Sequence, residues 1–363
     1  MSNLVSISAL GQSDALDEAE VSRHVIRTLP VIVIAAHNQC SCRCVMCDIW
    51  KIRDPQEITP RDLESQIKSF RDLDVRWAVF TGGEPQRNAN LFTLADMIRT
   101  EGIRVTLLTA GLLLEAQADQ IAESIDDVIV SLDGPPAVHD QIRRVPRSFE
   151  RIAAGVKALR RCRPDIVVGA RCTVQKQNHR QLRELTAAAR EIGLTSISFL
   201  AADVASSAFN RPEAWPEERQ QEVALNCQEV EALADEIERL IIEYRPHLDS
   251  GFVVESPAKL RRIVSHFRAQ LGQAEHVAPC CNAPWVSAVI DSSGDVRPCF
   301  FHPTIGNIHE NTVHEIVNGA AALRFRSHLD IPTNSICRSC VCSLNVKQSA
   351  QAESIDLRHS IAQ

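Results

Sequence analysis

Residues 31–47 read Val31-Ile32-Val33-Ile34-Ala35-Ala36-His37-Asn38-Gln39-Cys40-Ser41-Cys42-Arg43-Cys44-Val45-Met46-Cys47. A β-branched run of the length and composition of a buried parallel strand leads into a polar loop carrying four cysteines. The loop therefore sits where that strand ends. Cys40, Cys44 and Cys47 are spaced x3 and then x2, with Cys42 between the first two. A structural zinc or an electron-transfer iron–sulfur cluster takes four protein ligands, whereas three thiolates leave one metal corner open for a small molecule. Cys42, two residues from both Cys40 and Cys44, is sterically awkward as a fourth ligand of one cubane and reads as a bystander. Zinc is the alternative metal for this set.

Working outward, strand-like segments at 31–35, 77–81, 104–109, 127–132, 167–174 and 196–200 alternate with helical stretches, the pattern of parallel βαβ units. Thr59-Pro60 opens one helix with an N-cap and a proline at its first position, and Ser148 is placed to cap another through Ile152, Val156 and Leu159. Six such units predict an α/β fold, a partial (β/α)6 TIM-type barrel whose chemistry collects at the carboxyl ends of the strands. The expected divisions are an N-terminal extension 1–29, the barrel 30–219, a helical connector 220–275, a small cysteine-rich domain 276–345 and a polar tail 346–363. One long helix is expected over 220–243.

With 363 residues, 45% hydrophobic and 23% charged, the composition excludes disordered and fibrous classes. Thirty-nine basic against 46 acidic residues, a formal charge of −7, gives no pull toward nucleic acid or anionic lipid, so neither is expected as a partner. The longest apolar run, 31–36, is far too short to span a bilayer, and no secretory signal opens the chain. A cytoplasmic location with reduced thiols is the expectation, and thirteen cysteines there point to metal or catalysis before disulfides. Cys162, Cys172 and Cys227 stand alone and read as small buried hydrophobes.

Cys40-x3-Cys44-x-Met46-Cys47 resembles the signature of the radical S-adenosylmethionine (SAM) superfamily, and three further motifs follow in that family's order. Gly82-Gly83-Glu84-Pro85 is similar to its GGEP motif, which by resemblance contacts the methionyl amino group. Ser131-Leu132-Asp133-Gly134 matches the ribose-contacting position. Arg143 matches the arginine that holds the SAM carboxylate, with Arg144 beside it as the alternative. The residue chemistry agrees. Glycines let backbone approach a ligand closely, and Glu84 offers an acceptor for an ammonium group. Ser131 and Asp133 share a strand face by the period of two, and Arg143 offers a bidentate fork. Thr109, ending the third strand, and Met46, beside the adenine, complete the cofactor-binding set. The family often has an aromatic at Met46 and Asn at Ala110. The resemblance implies a [4Fe–4S] cluster on Cys40, Cys44 and Cys47 whose open iron chelates SAM. Reductive cleavage then yields a 5′-deoxyadenosyl radical that removes hydrogen from a C–H.

Cys281-x12-Gly294-x4-Cys299 with Cys337-x2-Cys340 resembles the auxiliary-cluster region called SPASM, or its shortened twitch form. The two further cysteines of the full pattern fall at Val346 and Ala350, so one auxiliary [4Fe–4S] cluster is expected on Cys281, Cys299, Cys337 and Cys340. Cys280 and Cys342 are alternates to Cys281 and Cys340, and a zinc ribbon is the structural alternative. Ser292-Ser293-Gly294-Asp295 reads as a hairpin turn between strands at 286–290 and 296–299.

Relatives of this type handle either small polar molecules, such as sugars and aminocyclitols, or peptides. About thirty residues precede the first strand, fewer than a leader-binding domain needs, which favours the small molecule. The expected reaction is net oxidation (dehydrogenation) by a radical SAM oxidoreductase, with the auxiliary cluster as electron acceptor and an external donor such as flavodoxin or ferredoxin. Alternatives are a maturase for a ribosomal peptide or protein side chain, an epimerase in which Cys280, Cys342 or Cys42 returns hydrogen, and a non-enzymatic iron–sulfur carrier. Asp203, His302 and Trp285 are candidate substrate contacts at the barrel mouth.

Overall fold

A computed structural model describes residues 23–211 and 213–346. Most of the expected N-terminal extension and nearly all of the expected tail lie outside the described residues. Six strands run through residue 201: β1 (Val31–His37), β2 (Trp77–Gly82), β3 (Arg104–Thr109), β4 (Asp127–Ser131), β5 (Val167–Val174) and β6 (Ser196–Ala201). Each pairs in parallel with the next, and helices lie in every connection, as parallel pairing requires.

The period of two sorts each strand into two faces. Val31, Val33, Trp77, Val79, Leu108 and Ile129 line an internal cavity. Their neighbours Ile32, Ile34, Ala78, Phe80, Leu107 and Val128 belong to the core beneath the helices and are at most 1% exposed. The helix Leu91–Thr100 buries Leu91, Leu94, Ala95 and Ile98, a one-sided apolar stripe laid on the sheet. Each fully buried large aliphatic there stabilises the fold by roughly 2 kcal/mol. Thr59 caps the helix Pro60–Glu64 in a reciprocal box with Asp62, and Pro60 takes the first helical position.

The barrel stays partial because both sheet edges are occupied. β7 (Ser287–Ile290) runs parallel along the outer edge of β1, with Val31 opposite Ser287. β8 (Asp295–Arg297) and β9 (Gly306–Asn307) then continue the same sheet antiparallel. At the far edge, Ile197 of β6 donates to the Phe252 carbonyl at 2.7 Å and accepts from the Val254 amide at 3.0 Å. The cysteine-rich region is thus welded to the barrel through β1. The hairpin turn forms at the expected place, with Gly294 at φ +84° and Asp291 Oδ1 accepting the Ser293 and Asp295 amides.

Several local expectations are corrected. The long connector helix begins at Cys227, because Asn226 and Glu229 form a capping box there, and Gln220 belongs to the separate short helix Glu217–Gln220. Ser148 does not cap: it lies inside the helix Ser148–Cys162, and its hydroxyl donates to Asp140 at 2.7 Å. Of the three isolated cysteines only Cys172 is buried, while Cys162 and Cys227 are exposed. No described helix is long and apolar enough to cross a membrane.

Candidate functional site

The loop after β1 is held by the helix that follows β4 and by the turn that follows Cys47. Arg43 and Val45 donate their amides to the Arg143 and Ile142 carbonyls at the end of the helix Pro136–Arg143. The Trp50 indole donates to the Cys47 carbonyl at 2.8 Å. Cys40, Cys44 and Cys47 then open on a cavity of about 450 Å3, and Met46 lines it beside them. Backbone amides approach two of these sulfurs, Cys42 N–H to Cys40 Sγ and Ile49 N–H to Cys47 Sγ, each at 3.4 Å. A hydrogen bond from the Cys42 thiol brings Cys44 down to about 7, with the Arg143 guanidinium pulling the same way against burial. Burial pushes Cys47 up to about 12. Cys42 is 1% exposed and hydrogen-bonded to both Cys40 and Cys44.

The Gly82–Pro85 segment does something the sequence reading did not foresee. Gly83 N–H donates to the His37 carbonyl at 2.8 Å and Glu84 N–H to Gln39 at 2.9 Å, so this turn is stitched to the residues that lead into Cys40. The glycines make room for backbone as well as facing the cavity. A Cβ on Gly82 would stand 2.4 Å from the His37 oxygen, and one on Gly83 2.5 Å from that of Gln39. Gly82 also sits at φ +131°. Gly82→Ala is therefore expected to lower stability by roughly 2–3 kcal/mol in urea unfolding, and an unchanged midpoint would refute this account of the junction.

Glu84 is 1% exposed and absent from the cavity lining. Its Oε1 accepts from the Thr109 hydroxyl at 2.8 Å and the Gln86 amide at 3.3 Å, and its Oε2 accepts the Ala110 amide at 2.9 Å. Burial pushes its carboxyl above the ordinary range despite these bonds. Glu84 thus ties the end of β3 to the turn after β2. Pro85 starts the short 3-10 turn behind it, while Thr109 reaches the cavity.

Ser131 also lines the cavity, but Asp133 does not share its face. The strand ends at Ser131, the chain turns, and Asp133 is 0% exposed behind the wall. Asp133 Oδ1 accepts the Thr173 amide at 2.9 Å, and Oδ2 pairs with Arg143 Nε at 2.6 Å. Arg143 lines the cavity and points Nη1 at Cys44 Sγ, 3.6 Å away. Arg144 is the left-handed residue closing the same helix.

The second thiol set opens on this same cavity through Cys281, Cys299, Cys337, Cys340 and Cys342. Cys280 turns outward, accepting from the Asn345 side chain at 3.1 Å. Asn334 caps the short helix Ser335–Arg338 that presents Cys337, and His302 Nε2 lies 3.4 Å from Cys337 Sγ. His302 and Asp203 face the cavity, with Asp203 ion-paired to Arg211. Trp285 does not face it: the ring packs against Val31, Trp77 and Val286.

Residues 34–189 match the family described as the radical SAM superfamily, and residues 280–341 match SPASM, described as an iron–sulfur cluster-binding domain. The chain belongs to the radical SAM superfamily. Among curated proteins, pre-heme d1 synthase of Dinoroseobacter shibae is 31% identical over 43% of this chain, a match that spans 39% of that enzyme. Fe-coproporphyrin III synthase of Methanosarcina barkeri is 25% identical over 94% of this chain and 90% of its own length. Among solved structures, Streptococcus suis SuiB bound to precursor peptide SuiA superposes with a TM-score of 0.63 at 17% identity, covering 90% of this chain and 73% of that one. That likeness is one of fold.

A radical SAM protein with a SPASM region carries a SAM-binding [4Fe–4S] cluster and an auxiliary cluster, and the residues present fit both. Sulfur donors suit iron, and each set faces open space.

The sequence reading missed several residues of the cavity wall, among them Arg171, Glu255, Lys259, Phe209, Phe300 and Phe301. Arg171 had a signal, a charge at an inward position of an otherwise apolar strand. Glu255 and Lys259 read locally as an ordinary helix start.

Proposed function

We propose that this radical SAM protein is an oxidoreductase that removes hydrogen from a C–H of a small organic molecule, by net two-electron oxidation. The observation that carries the reading is the single cavity on which both thiol sets open. Cys40, Cys44 and Cys47 would hold the SAM-binding cluster, and Cys281, Cys299, Cys337 and Cys340 the auxiliary one. Gly82, Gly83, Thr109, Ser131, Met46 and Arg143 would line the SAM site, with Glu84, Pro85 and Asp133 supporting it from behind. Bound there and reduced by an external donor such as flavodoxin or ferredoxin, the cluster and SAM supply a carbon radical strong enough to take a hydrogen atom from an unactivated carbon. The protein's part is placement. The stitched turns fix the loop, the apolar barrel lining excludes water, and the auxiliary cluster that Cys281, Cys299, Cys337 and Cys340 would hold would supply the acceptor for the second electron, while a proton leaves the neighbouring hydroxyl or amine.

Anaerobically reconstituted protein is expected to bind about eight irons per chain and, with SAM and a strong reductant, to release 5′-deoxyadenosine. Deuterium placed at the reacting carbon of a substrate should appear in that product. About four irons with zinc would remove the electron sink from the account, and solvent deuterium in recovered substrate would replace oxidation by epimerisation.

A further inference from the structure

The loop that carries Cys40, Cys44 and Cys47 has two faces. Cys40, Cys42 and Cys44 line the cavity, whereas Ser41 and Arg43, which alternate with them, are exposed. A single stretch of backbone thus presents thiols to one side and solvent-facing side chains to the other. The outer face is basic. Arg87 reaches it from the 3-10 turn Pro85–Arg87, its Nη1 donating to Ser41 Oγ at 3.3 Å and its Nη2 to Gln39 Oε1 at 3.4 Å. The Gln39 side chain in turn donates to the Arg53 carbonyl at 3.3 Å. On the other flank the Arg43 amide donates to the Arg143 carbonyl, which sets Arg144 beside the loop.

Arg43, Arg53, Arg87 and Arg144 are all exposed, and among the described residues none of the four has a carboxylate within ion-pair distance. Asp54 and Glu57 follow Arg53 in the chain, but Glu57 stands instead 3.9 Å from His37 Nε2. Several exposed arginines elsewhere are matched, Arg245 by Asp249, Arg261 by Glu238 and Arg268 by Glu231. A chain of formal charge −7 therefore carries a local positive strip on the back of its cysteine loop. Guanidinium forks suit carboxylates, and no aromatic side chain stands among these residues for a nucleic-acid base to stack on. We infer that Arg43, Arg53, Arg87 and Arg144 form the docking surface for an acidic one-electron carrier protein, which delivers its electron across the loop. One electron leaves the carrier and one enters the cluster that Cys40, Cys44 and Cys47 would hold, and no bond is made or broken at the surface. The inference rests on the oxidoreductase reading above, which needs an external donor, and names where that donor binds.

The test is calorimetric titration of the reconstituted protein with oxidised flavodoxin, an acidic flavin carrier. Binding is expected to weaken at least about tenfold between about 0.05 and 0.3 M salt. Arg43→Glu and Arg53→Glu should each weaken it by about tenfold or more at the lower salt, while Arg43→Lys keeps most of it. Iron content should match the unsubstituted protein in all three. Flavodoxin reduced beforehand should drive 5′-deoxyadenosine release with a KM about tenfold higher in the two charge reversals. Photoreduced 5-deazariboflavin, a small reductant without net charge, should drive it at the unsubstituted rate. Flavodoxin binding that ignores both salt and charge reversal overturns the inference. So does a matching fall in iron content or in the deazaflavin-driven rate, which would assign these side chains to holding the cysteine loop. A single-stranded RNA oligonucleotide that displaces flavodoxin and binds more tightly would make the strip a nucleic-acid site and overturn it too. Cleavage that proceeds with salt-independent flavodoxin binding sinks the docking surface alone. Salt-dependent binding without cleavage by any reductant sinks the oxidoreductase reading alone.

Discussion

Cys47→Ala protein, reconstituted without oxygen, is expected to release no 5′-deoxyadenosine and to retain about half the iron of the unsubstituted chain. Cys47 lines the cavity, and the Ile49 amide approaches its sulfur. Cys42 also lines the cavity but is only 1% exposed; as it is the bystander between Cys40 and Cys44, Cys42→Ala is expected to keep the iron and the cleavage. Chromatography of the nucleoside product and an iron assay on the two variants decide the matter. Turnover in Cys47→Ala, or its loss in Cys42→Ala, would reverse the roles given to these thiols.

The second large effect belongs to a residue that never touches the cavity. The Asp133–Arg143 pair is buried, with side chains 0% and 11% exposed and 2.6 Å between Oδ2 and Nε. Asp133→Asn preserves the shape and removes the charge, leaving a guanidinium uncompensated inside the protein. The expected cost is about 3–5 kcal/mol, read as a lower urea midpoint of the reduced apoprotein. The same guanidinium points at Cys44, and its helix end accepts the Arg43 and Val45 amides, so the variant should also hold its first cluster poorly. Arg143→Met in the Asp133→Asn background should recover part of the stability and none of the SAM affinity. A cost below about 1 kcal/mol for Asp133→Asn would mean that water reaches the pair.

Local signals resolved the strands well because a parallel strand buried on both faces is an apolar run, and six such runs were unmistakable. Thr59-Pro60 and the Gly294 turn were equally legible, since caps and positive-φ turns are decided by residues within a few positions. Errors fell where a neighbour distant in sequence decided the outcome. Ser148 was taken up by Asp140 of the preceding helix, and Trp285 turned toward Val31 and Trp77. Asp133 followed the turn after β4 instead of the strand's alternation.

The glycine pair shows the same division within one motif. Reading Gly82-Gly83 as a close approach was sound, yet the nearest backbone belongs to His37 and Gln39, which lie more than forty residues earlier.

The order of cysteines, glycines and the Ser131 and Arg143 positions was enough, unaided, to assign the family and its metal chemistry, because ligand type and spacing are properties of the chain itself. Only the folded sheet could decide that β7 joins β1, that two thiol sets nearly two thirds of the chain apart in sequence share one cavity, and that Arg171, Lys259 and Glu255 line its wall. Those are distances through space, set by strand pairing and burial, and no local pattern of residues encodes them.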